Sequence, residues 1–84
     1  MNPNVYPVYA IRDNVGCKFG SLIVESNEAT ARRNFAYGCR DGIMAFKRDD
    51  FALYCIGHYN VDSGSFVPLP APEYVCSAAE VVTD

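Results

Sequence analysis

Cysteine and histidine are the side chains here best suited to chemistry, and they come together once, in Cys55-Ile56-Gly57-His58. Two kinds of chemistry use such a pair. A thiol beside an imidazole base becomes a nucleophile. A Cys-x-x-His knuckle supplies two ligands of a tetrahedral zinc site. Both need the two side chains on one side of the backbone. The surrounding residues read as a β-strand, and a strand sends residues three apart to opposite faces. The pair is therefore expected to point apart. Cys17, Cys39 and Cys76 form no second knuckle. There is one histidine, no glycine-rich phosphate loop and no His-Glu-x-x-His motif. The expected protein is not an enzyme: it has no catalytic residue, metal, cofactor or small-molecule substrate.

Arginine and tyrosine supply the other candidate chemistry. Arg33, Tyr37 and Arg40 are spaced i, i+4 and i+7, so on a helix they share one face, with Arg32 beside them. Such a group can hold phosphates and stack a base. Lys47 and Arg48 extend it, and Arg12 is placed on an adjacent strand. Tyr54, His58, Tyr59 and Phe66 add flat rings of the kind that suit single strands. A plain solvated helix face with aromatics in the core also accounts for these residues. Composition favours that plainer account, because a net-acidic protein gains less from counterion release.

The bulk numbers agree with a small binding domain. The chain has 84 residues, 7 Lys+Arg against 10 Asp+Glu, and a net charge of −3. The pI of about 4.9 argues against a protein that attracts polyanions over its whole surface. Half the residues are hydrophobic, enough for one core, with a stability of roughly 3–5 kcal/mol expected at this size. No apolar run approaches the ~18 residues of a membrane span. The first residues lack a charged segment followed by an apolar one, so no secretory signal is read. The thiols are accordingly expected to be reduced, intracellular and mostly buried.

These residues must be positioned by few elements. Residues 5–13 alternate as a strand, with Tyr9 and Ile11 on one side and Val8, Ala10 and Arg12 on the other. Pro7 is expected at the strand's beginning or on an edge. Asn14-Val15-Gly16 reads as a turn, residues 18–20 as irregular, and residues 21–25 as a second strand or an approach to a helix. Ser26 is the expected N-cap, with Glu28 in the first turn. The helix runs over about 27–38, with an apolar stripe of Ala31, Phe35 and Cys39, and stops at Gly38. Asp41-Gly42 is a turn, residues 43–46 are a short apolar run, and Lys47-Arg48-Asp49-Asp50 is a solvated cluster.

The surest element is a hairpin over about 51–69. Its first strand is apolar on both faces, and Asp62-Ser63-Gly64 forms its tip. Pro68, Pro70 and Pro72 are expected to end pairing, since none has an N–H. Tyr74 onward is helical or extended. The fold class is α+β: a small antiparallel sheet of three to four strands, one helix on one face, and the hairpin, all in a single domain over residues 1–84. A strand apolar on both faces suggests a second copy or another partner against one of them, a dimer being favoured.

The stretch from Asp50-Phe51-Ala52-Leu53-Tyr54 through Ile56-Gly57 to Asp62-Ser63-Gly64 resembles a pattern D-F-x-L-Y-x-I-G-x-F/Y-D/N-x-x-T/S-G. That pattern belongs to the small non-structural protein of gokushoviruses, single-stranded DNA phages of the microvirus group, which is often labelled DNA-binding. Tyr9-Ala10-Ile11-Arg12-Asp13 is similar to its opening Y-x-I-R-D, and Ala31-Arg32-Arg33-Asn34-Phe35 to its A-x-R-x-F helix. Arg48-Asp49 departs from the usual Pro-Glu, and the segment over 18–24 is not distinctive. The resemblance implies a phage protein of the host cytoplasm, acting in single-stranded genome replication or the switch to packaging. It carries over no catalytic residue. The expected ligand is then single-stranded DNA, bound by a small homo-oligomer away from membranes. Arg12, Arg32, Arg33 and Arg40 would meet phosphates, and Tyr37, Tyr54 and Tyr59 would stack bases. A regulatory module that binds host or phage proteins, and no nucleic acid, is the alternative.

Overall fold

The computed structural model describes residues 4–40 and 50–81. The expected turn at Asp41-Gly42, the apolar run over 43–46 and the cluster Lys47-Arg48-Asp49 lie outside them. Four strands, β1 (Val5–Asp13), β2 (Lys18–Val24), β3 (Phe51–Asn60) and β4 (Phe66–Ser77), form one antiparallel sheet in the order β2-β1-β3-β4. Helix α1 (Glu28–Arg40) joins β2 to the second half of the chain, and a short helix α2 (Ala78–Val81) follows β4.

β1 and β2 are joined by a turn that Asp13 organises. Its Oδ1 accepts from the N–H groups of Val15 and Gly16, at 3.0 and 2.9 Å. Cys17 closes the turn in the left-handed region, φ 58°. Strand pairing then begins at Lys18, and the irregularity expected over residues 18–20 is a register shift within β2, between Phe19 opposite Arg12 and Leu22 opposite Ala10. Pro7 is the third residue of β1 and pairs only with His58 of β3, so β1 is locally an edge there, as expected for a proline. It stands one residue beyond the level where β2 ends, opposite Val24 at Val8.

α1 starts one residue later than expected. The cap is Asn27, whose Oδ1 accepts from Thr30 N–H at 2.8 Å while its carbonyl accepts from Ala31 N–H at 3.0 Å. The helix also passes through Gly38 to Arg40, because Cys39 is fully buried in the core and holds the last turn down. Ala31, Phe35 and Cys39 pack on Tyr9 and Leu53 of the central strands, with Cys76 and Ala78 closing the cluster. The expected stripe is thus the helix's buried face. Fully burying Phe35 or Leu53 stabilises by about 1.5–3 kcal/mol each, and the smaller alanines by less.

The hairpin tip is built by Asn60. Its Oδ1 accepts from Asp62 and Ser63 N–H, and its carbonyl from Gly64 N–H, with Gly64 at φ 77°. The return strand does not end at the prolines but continues to Ser77. Pro68 pairs with Gly57, and pairing resumes at Glu73 opposite Cys55, so residues 69–72 arch past Ile56 alone. β4 is an edge strand, where a missing N–H need not break the ladder. The segment from Tyr74 is both extended and helical: it completes β4, then Ser77 caps α2. Ser77 Oγ accepts from Glu80 N–H at 3.2 Å, and Glu80 Oε1 accepts from Ser77 N–H at 3.4 Å, a capping box.

Candidate binding face

Ile56 decides which side of the sheet each β3 residue takes. In the β1–β3 ladder Val8 pairs with Gly57 and Tyr9 with Cys55, leaving Ile56 as an extra residue. A bulge of this kind resets the alternation. Paired residues share a face, so Tyr9, Cys55, Ile11 and Leu53 face α1. Val8, Gly57, Ala10, Tyr54, Arg12 and Ala52 face the other way. The expectation that Cys55 and His58 point apart is overturned by the same residue: His58 pairs with Pro7, which by alternation is on the Tyr9 side, so both lie on one face. They still do not make a nucleophile and base. Cys55 Sγ donates to the Gly57 carbonyl at 3.8 Å, and burial raises its thiol above its usual range. His58 is exposed.

No described helix covers the second face. It carries Phe19, Leu22 and Val24 from β2, through their pairing with Arg12, Ala10 and Val8. β3 adds Tyr54 and Tyr59, and β4 adds Phe66 and Tyr74, partners of Tyr59 and Tyr54. The small central residues Val8, Ala10 and Ala52 are buried there without a helix, because larger side chains lean over them. Phe19 and Tyr54 meet edge to face, with ring centroids 5.4 Å apart and planes at 84°. Tyr54 and Tyr74 do the same at 5.7 Å and 79°. Three rings from β2, β3 and β4 thus form a row across the sheet. The Arg12 guanidinium lies 5.1 Å from the Phe19 ring centroid, within cation–π range. At the other end Tyr74 Oη donates to the Glu80 carboxylate. That bond holds the Glu80 carboxyl below its usual range and raises the Tyr74 hydroxyl. Beside the row, Val8, Leu22, Val24, Tyr59 and Phe66 line an apolar groove of about 330 Å³.

The residues picked from the sequence fall into two groups. Arg12, Tyr54 and Tyr59 are on the open face. Arg32, Arg33 and Tyr37 are on α1, across the sheet from them. Arg32 is committed elsewhere: it pairs with Glu28 at 3.3 Å and donates to the Val75 carbonyl at 3.1 Å. Arg33 and Tyr37 are exposed, and the side chain of Arg40 lies outside the described residues. One surface therefore does not gather Arg12 with Arg33. Sequence reasoning passed over Phe19 and Tyr74. A single helix cannot cover both sides of a four-stranded sheet, and that count was the available signal.

Among the described residues no three of His, Cys, Asp and Glu come together as metal ligands, and no helix is long and apolar enough to cross a membrane. A family model described as "Phage ORF5 protein" matches residues 6–81. No curated protein and no solved structure matches.

Proposed function

The chain belongs to the Phage ORF5 protein family, and from that premise we propose that it is a non-enzymatic, non-structural phage protein that binds single-stranded DNA on the open face of its sheet. It acts in the host cytoplasm, in genome replication or the switch to packaging of a gokushovirus-type phage. The row Phe19–Tyr54–Tyr74 carries this reading. Rings presented from neighbouring strands are what unpaired bases stack on, and each such contact contributes about 1–3 kcal/mol. Arg12 supports it with a cation at the same row. Arg33 and Tyr37, on the helix side, would meet a strand only where it wraps the molecule.

Fluorescence anisotropy of a labelled single strand tests the reading. Binding should be seen at about 50 mM salt and fall in Phe19→Ala and Tyr74→Ala. The Arg33→Glu variant should bind nearly as well as the parent. Loss of binding on Arg33→Glu alone would move the site to the helix.

The apolar groove beside Phe66 and Leu22 favours a second reading. Its lining offers no polar group to nucleic acid, and grooves of that kind take apolar side chains of a protein partner or a second copy. A Leu22→Glu variant separates the two. It should abolish partner capture or dimerisation in sedimentation and leave strand binding in place.

A further inference from the structure

Resting on the second reading above, we infer that a second copy of this chain covers the open face, related by a two-fold axis that lies between the two sheets and runs along the strands. Of the nine large apolar side chains exposed among the described residues, Phe19, Leu22, Val24, Phe66 and Tyr74 stand on this one face. β1 is 9 residues long, and four strands of about that length make a face of roughly 19 by 30 Å. Its outline is roughly 600 Å². Side chains standing off the sheet raise the accessible area above that outline, to the order of the ~800 Å² that each partner brings to a stable interface. Two such faces stack as a sandwich about 10 Å apart, with the helices outside.

Charge points to the same chain as the occupant. Arg12 pairs with Ala52, and Ala52 with Ser77, so Arg12 and Ser77 stand at one level of the sheet. Ser77 caps the turn that carries Glu80. The Arg12 guanidinium lies by the Phe19 ring of β2, whereas Glu80 is tied to Tyr74 of β4. One end of the face thus has a cation on its β2 side and an anion on its β4 side. A two-fold axis along the strands keeps the level and exchanges the sides. It sets Arg12 of each copy against Glu80 of the other. An axis across the strands would send the two to opposite ends. The far end carries Leu22 and Val24 on β2 and Phe66 on β4, so the same operation sets apolar groups on apolar groups. The face is the one proposed above for a single strand, so dimer and strand exclude each other.

Sedimentation equilibrium of the full chain over roughly 1–100 µM tests this. The parent should dimerise. Arg12→Glu and Glu80→Arg, each checked for folding by circular dichroism, should each weaken the dimer about tenfold, since each sets like charges together at both symmetry-related contacts. An equimolar mixture of these two variants should pair as tightly as the parent, because every contact is again between opposite charges. Mixing would not repair a merely structural loss in either one. Leu22→Glu should weaken the dimer about tenfold or more. If the mixture stays as weak as its components, or Leu22→Glu has no effect, the copies meet elsewhere and the inference falls. It falls too if the parent is monomeric throughout. The groove reading is then judged separately with the apolar dye anilinonaphthalene sulfonate. Fluorescence enhanced by the parent and lost in Leu22→Glu leaves the groove to another partner, and no enhancement ends that reading as well.

Discussion

The ring of Phe66 lies directly over Gly57 of the neighbouring strand. A methyl group at Gly57 would sit 2.6 Å from Phe66 Cζ and 2.6 Å from the Val67 carbonyl oxygen. A ring can swing away, but the carbonyl belongs to the β3–β4 ladder. Glycine in a strand often marks such a close approach. Gly57→Ala should therefore cost about 1–3 kcal/mol, the range for overpacking. A lowered urea midpoint with an unchanged slope would register it. An unaltered midpoint would mean that the strands separate at no cost.

The β1–β2 turn stores a small strain that can be removed. Cys17 adopts φ 58°, a region that favours glycine. Cys17→Gly should raise stability, by up to about 1 kcal/mol. Asp13→Ala takes away the acceptor for Val15 and Gly16 N–H and should lower stability by about 1 kcal/mol. Thermal melts of the two variants should move in opposite directions.

Helix capping separates two adjacent residues. Asn27→Ala should cost about 1 kcal/mol, because Thr30 N–H loses its acceptor. Ser26→Ala should change little. Equal losses in both variants, measured by chemical denaturation, would contradict the assignment of the cap.

Alkaline pH should destabilise the fold in stages. Burial raises the Cys55 and Cys76 thiols above their ordinary value of 9.0, and it raises Tyr9 from 10.0 to about 12. Each group keeps its proton longer folded than unfolded, so its stabilising contribution is complete below the unfolded value and is lost as pH rises through the folded one. Stability should decline above pH 9, with the tyrosine part falling between 10 and 12. Tyr9→Phe should remove that last part and flatten the curve there, visible in urea midpoints taken at stepped pH.

Thiol reactivity should follow exposure. Cys17 is exposed, whereas Cys39 and Cys76 are fully buried, and burial further suppresses the Cys76 thiolate. Near neutral pH, iodoacetamide should label Cys17 first, with Cys39 and Cys76 reacting only on unfolding. Mass spectrometry of labelled peptides reads this out. Prompt labelling of Cys76 would place it outside the core.

Much of the fold was legible because its signals are local. Ala31, Phe35 and Cys39 repeat at helical spacing, and they do form the face that packs on Tyr9 and Leu53. Tyr9 and Ile11 alternate with Val8 and Ala10, and the sheet divides them in that way. The hairpin tip with Gly64 stands where turn chemistry put it. The misreadings were made where a neighbour overrules a residue's own preference. Gly38 stays helical because Cys39 beyond it is buried. β4 passes Pro70 and Pro72 because it lies on an edge and arches past Ile56.

By itself, then, the sequence determined the first strand, the helix with its buried stripe, the hairpin tip and the family signature, all set by spacing within a few residues. Only the tertiary structure decided which side chains share a surface. A strand's faces follow from pairing register, and one extra residue, Ile56, reverses them: it puts His58 on the side of Cys55. The placement of α1 leaves Arg12 with Phe19, Tyr54 and Tyr74 and puts Arg33 behind the sheet. No periodicity in the chain encodes that, because it depends on which face α1 covers.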